Sequence, residues 1–123
     1  MAEANEKPLI LIASDDFLLS KKVGAIVTEL KFRSIRTNSI DRIIRELKRP
    51  GRCIVVDICW EQVQEPGVLR QLVNIAAITE GKVICICPNK DEDLKLLAKR
   101  SRVSEIFIRY DLEVAFKDYM AAL

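Results

Sequence analysis

Five times along this chain a short apolar run is followed by a segment whose apolar residues recur at helical spacing, and that alternation constrains the fold more tightly than anything else in it. Leu9–Ile12 precedes Leu19, Val23, Ile26, Val27 and Leu30, at i, i+4, i+7, i+8 and i+11. A weaker, more polar run at Ser34–Arg36 precedes Ile40, Ile43, Ile44 and Leu47, with Ser39 placed as N-cap and Pro50-Gly51 as the stop. Cys53–Val56 precedes a helix that begins after Pro66-Gly67 and carries Val68, Leu69, Leu72, Val73, Ala76 and Ile78. Val83–Cys87 precedes Leu94, Leu97 and Ala98, with Asn89 and Glu92 spaced as a capping box. Ile106–Ile108 precedes Leu112, Ala115, Phe116, Tyr119 and Leu123, with Asp111 as the cap.

Parallel strands covered on both sides read as unbroken apolar runs, so five β-α units predict an α/β fold: a five-stranded, doubly wound parallel sheet with helices on both faces. Right-handed crossovers restrict its order to 2-1-3-4-5, with the polar second strand at an edge. The 123 residues, half of them hydrophobic, suit one domain. Residues 1–7 read as a disordered tail and 8–123 as that domain. The N-terminus lacks the apolar stretch of a signal peptide, and nowhere are there the roughly 18 successive apolar residues that a membrane span requires. A soluble, cytoplasmic protein with no membrane partner is the expectation. The four cysteines lie in or beside apolar runs, and the chain has no histidine and no CxxC pair. Zinc is poorly supported, and reduced, buried thiols are expected.

In the order 2-1-3-4-5 the first and third strands are neighbours, and ligands bind at their C-terminal ends. Asp15, Asp16 and Asp57 are expected to meet there. Three gathered carboxylates need a cation, and hard oxygen donors suit Mg²⁺, which would hold a phosphoryl group as a further ligand. Cys87 ends the fourth run, and Arg109, ending the fifth, supplies positive charge for phosphoryl oxygens. A flavin mononucleotide protein is excluded, because acids stand where a phosphate would need donors.

With the acidic end of the first strand, Asp57 ending the third and the five-unit periodicity, the chain from about Pro8 to Leu123 resembles the response-regulator receiver domain of two-component signalling, a flavodoxin-like fold. The resemblance implies a phosphorelay domain rather than a classical enzyme, at most capable of Mg²⁺-dependent self-phosphorylation and dephosphorylation. Asp57 would accept phosphate from a histidine kinase or phosphotransfer protein. Asp15, Asp16, Asp57 and the Cys59 backbone carbonyl would bind Mg²⁺, and Arg109 and Cys87 would stand where the family places a lysine and a hydroxyl. Laid on the family without gaps, the acid pair falls on Ser14 and Asp15, with Asp16 one step on. A shift of one residue moves it to Asp15 and Asp16 and requires a deletion in the helix. Ile106 occupies the family's switch-aromatic position and Tyr110 its proline, so the switch is atypical. The alternative is a pseudo-receiver, a phosphorylation-independent interaction module. Implied partners also include a downstream protein or an output domain beyond Leu123, and a homodimer is compatible.

Between Lys31 and Arg52 eight basic residues face two acids, a local net of +6. This is a solvated helix face or a docking face for an acidic partner or nucleic acid. Phe32 is the one aromatic in the stretch, which disfavours base stacking and hence nucleic acid.

Overall fold

The computed structural model describes residues 7–123, so the tail assigned to residues 1–7 lies, Lys7 apart, outside the described residues. The elements run β1 (Leu9–Ala13), α1 (Phe17–Glu29), β2 (Ser34–Thr37), α2 (Ile40–Leu47), β3 (Arg52–Asp57), α3 (Glu61–Gln64) and α4 (Val68–Ile78). They continue with β4 (Val83–Cys87), α5 (Glu92–Arg100), β5 (Glu105–Ile108), a 3₁₀ turn at Arg109–Asp111, a π-helical turn at Leu112–Phe116, and α6 (Lys117–Ala121). The five strands form one sheet in the order β2-β1-β3-β4-β5, and every pairing is parallel.

Alternation of side chains along each strand divides the core in two. Leu9, Leu11, Ile54, Val56, Cys85 and Cys87 face α2, α4 and Ala98 of α5, while Ile10, Ile12, Cys53, Val55, Ile84 and Ile86 face α1, Phe116 and Met120. β1, β4 and nearly all of β3 are buried throughout, as central parallel strands must be. Ile106 packs on the first cluster and Phe107 on the second, where its ring meets Phe116 edge-on with centroids 5.6 Å apart. No helix among the described residues is long and apolar enough to cross a membrane.

Three local expectations are corrected. Asp91, not Asn89, caps α5: its extended backbone precedes Glu92 directly, and its carboxylate accepts the Leu94 N–H at 3.0 Å. Asp111 makes no side-chain cap, because the chain enters its last helical segment through the 3₁₀ and π turns rather than from an extended residue. The third is α3, in a stretch to which the periodicity assigns no element, since a four-residue turn is too short to show a helical period, although Val63 is buried in it. Ser39 caps α2 as expected, accepting the Arg42 N–H at 3.2 Å.

Candidate functional site

The C-terminal ends of β1 and β3 lie side by side, with Ala13 paired to Val56, and this places Ser14 against Asp57. Asp57 is 2 % exposed, so its carboxylate must find partners within the protein. Ser14 Oγ donates to Asp57 Oδ2 at 2.7 Å, and the backbone N–H of Cys59 donates to Oδ1 at 3.0 Å. Arg109 Nη2 stands 3.5 Å from the same Oδ2.

The turn after β1 explains which acids enter. Ser14 Oγ accepts the Asp16 N–H at 2.9 Å while donating to Asp57, so one hydroxyl links the two segments. Asp16 is the N-cap of α1, accepting the Leu19 N–H at 3.1 Å through Oδ1. Its other oxygen, Oδ2, lies 3.3 Å from Arg109 Nη2. A single guanidinium nitrogen thus bridges Asp16 and Asp57. Asp15, between two residues engaged inward, is exposed beside Phe17, Arg36, Thr37 and Asn38.

The expected convergence of Asp15, Asp16 and Asp57 is therefore corrected: among the described residues no three His, Cys, Asp or Glu side chains are placed to hold a metal ion. The donor set does not fit Mg²⁺. A hydroxyl, Ser14, stands at the position of the first acid, Asp15 turns to solvent, and the Arg109 guanidinium already occupies the space between the Asp16 and Asp57 carboxylates. Cys59 enters the site through its N–H.

Cys87 is brought to the right strand end but not to the carboxylate's hydrogen-bond set. It is fully buried in the apolar cluster facing α4 and α5. Burial, and then the neighbouring Cys59, push its thiol up to about 11, so it stays neutral and a weak donor. Cys59, half-buried, is also raised, first by burial and then by the Asp57 charge.

The gapless register already put Ser14 at the site, whereas Asn89 joins it from outside the expected residues. Ser14 makes the shortest hydrogen bond to Asp57, 2.7 Å against 3.0 Å from the Cys59 N–H. Asn89 accepts the Tyr110 N–H through Oδ1 at 3.2 Å and so ties the β4–α5 loop to the turn that carries Arg109. Nothing in sequence marks a contact between segments 21 residues apart. Trp60 is 2 % exposed, packed in the cluster facing α4, and its backbone N–H donates to the Asp57 carbonyl.

No family model and no curated protein matches this sequence. Solved structures do match. A response-regulator receiver domain protein from Methanospirillum hungatei aligns with a TM-score of 0.73 at 11% identity, over 95% of this chain and 96% of that one. A CheY-like response regulator from Mesorhizobium loti aligns with a TM-score of 0.67 at 13% identity, over 94% and 99%. The receiver domain of the Saccharomyces cerevisiae response regulator Ssk1, solved with the histidine phosphotransfer protein Ypd1, aligns with a TM-score of 0.69 at 13% identity, over 95% and 92%. The described chain has the receiver-domain fold, matched across nearly its whole length.

Proposed function

We propose that this chain is a two-component signalling domain of the receiver type that works as a phosphorylation-independent protein-interaction module. The observation that carries this reading is the bridge from Arg109 to both Asp16 and Asp57. Arg109, at the position where the family carries a lysine, engages both carboxylates at once, and Ser14 meets Asp57 where the family would place an acid. Beside this centre stand exposed apolar side chains: Leu18 lines a cavity with Asp16, Lys22 and Arg109, and Phe17, Leu18 and Tyr110 are each more than two-thirds exposed. Exposed apolar side chains gathered at one end of a sheet offer contact area to a protein partner. A phosphotransfer or downstream protein is the partner class, in keeping with the Ssk1 receiver domain, a fold neighbour solved with such a protein.

A second reading, phosphoryl transfer to Asp57 from a histidine kinase, is favoured by one observation: the carboxylate ends β3 beside a cation able to hold phosphoryl oxygens. It requires Arg109 to release Asp57. The test follows fluorescence of Trp60, whose backbone N–H bonds to the Asp57 carbonyl, while Mg²⁺ and then beryllofluoride are added, with Asp57→Asn as control. The expected outcome is no metal-dependent change. A saturable response in the parent, lost in Asp57→Asn, establishes the phosphoacceptor instead.

A further inference from the structure

The +6 stretch from Lys31 to Arg52 belongs to a chain whose total net charge is +2, so the remaining residues, twelve basic and sixteen acidic, carry −4. The molecule is electrically divided. Seven of the eight basic residues are exposed, and the eighth, Arg52, pairs with Glu46 at 3.2 Å. Glu46 also reaches Arg49 at 3.8 Å, and among the described residues no carboxylate pairs with Arg42, Arg45 or Lys48.

α2 concentrates this charge. Ile43 and Leu47 are fully buried, while Arg42 and Arg45 on the helix and Arg49, in the turn just past its C-cap Lys48, are exposed, a row that spans roughly 10 Å at the helical rise. Helix electrostatics account for only part of the row. Lys48 and Arg49 suit a helix C-terminus, but Arg42 lies in the first turn, where the dipole disfavours a cation.

We infer that the exposed row of Arg42 and Arg45 on α2 and Arg49 in the turn after it is a docking surface for an acidic protein segment. Charge complementarity selects a polyanion, and the shortness of the row selects a short one. A nucleic-acid duplex carries its phosphates far beyond a 10 Å row (about two helical turns), whereas an acidic helix can set two turns of carboxylates against it. The stretch also lacks an exposed aromatic on which a base could stack, since Phe32 is buried. Among the described residues the row makes no hydrogen bond or ion pair to Asp57 or Arg109, and its action is independent of either reading of that site.

The test uses the full chain and a labelled glutamate-rich helical peptide of about 14 residues, followed by fluorescence anisotropy at about 50 mM and 300 mM salt. Arg42→Glu/Arg45→Glu/Arg49→Glu is expected to weaken binding about tenfold or more, and raised salt to weaken it in the parent. Lys90→Glu/Lys99→Glu/Arg100→Glu makes the same change in net charge at other exposed residues and is expected to change affinity less than about threefold. Thermal melts followed by circular dichroism confirm that both variants fold. Four results overturn the proposal: no peptide binding by the parent, equal loss in both variants, a 12-base-pair duplex bound more tightly than the peptide, or self-association of the parent abolished by the α2 substitutions.

Discussion

Arg109 satisfies two carboxylates from one nitrogen, and its Nε is buried without a hydrogen-bond partner. Such an arrangement is held by charge rather than by ideal geometry, so its energy is best isolated by a cycle. Arg109→Ala is expected to destabilise the domain by about 1–2 kcal/mol, discounted because the guanidinium is half-exposed. Asp57→Asn keeps an acceptor for Ser14 and should cost less, and the double variant should show a coupling of about 1 kcal/mol. Urea unfolding followed by Trp60 fluorescence measures all three; strictly additive effects would refute the bridge. The thiols give a pH signature. Burial raises Cys87 to about 11 and also raises Cys53, Cys59 and Cys85 above the ordinary 9.0. Above pH 9 the unfolded chain therefore loses protons that the folded chain keeps, and stability falls as pH rises from 9 to about 11. Each thiol contributes a slope of at most about 1.4 kcal/mol per pH unit. The check is the urea midpoint from pH 8 to 11, with Cys87→Ala flattening the fall.

At the scale of elements, the caps and turns decide where each strand delivers its residues. Asp91→Ala removes the bond to the Leu94 N–H and is expected to cost about 1 kcal/mol, read from the thermal midpoint. Asn89→Ala spares the cap; its effect belongs to the Arg109 turn, through the Tyr110 N–H. Two glycines separate helix propensity from close approach. A Cβ on Gly24 of α1 would meet Arg36 Cδ and Ile12 Cδ1 at 3.8 Å, ordinary contact, so Gly24→Ala should stabilise by about 0.5–1 kcal/mol. A Cβ on Gly81, before β4, would lie 2.6 Å from the Arg52 carbonyl oxygen, so Gly81→Ala should destabilise by about 2 kcal/mol or more. Equal melting temperatures for the two variants would contradict this packing.

Across the whole molecule, two apolar layers close on one sheet, and protection should follow sheet position. Amides of β1, β3 and β4 are expected to exchange with solvent far more slowly than those of β2 and β5, which have one strand neighbour each and are only partly buried. Hydrogen-exchange mass spectrometry reads this directly. The sheet order and the division of faces were legible in the sequence, because alternation of buried runs with helical periods is a local pattern and crossover handedness leaves few ways to assemble it. Asp57 and Arg109 were legible as strand-end residues for the same reason. What the sequence left open was which of three consecutive residues, Ser14, Asp15 and Asp16, turns toward Asp57. That choice follows from one hydrogen-bonded turn after β1 and from the need of α1 for a cap, which together bring in Ser14 and Asp16 and send Asp15 to solvent. The position of the Arg109 guanidinium between two carboxylates is likewise a property of chains brought together in space, since the contact joins residues 52 apart and leaves no trace in local periodicity.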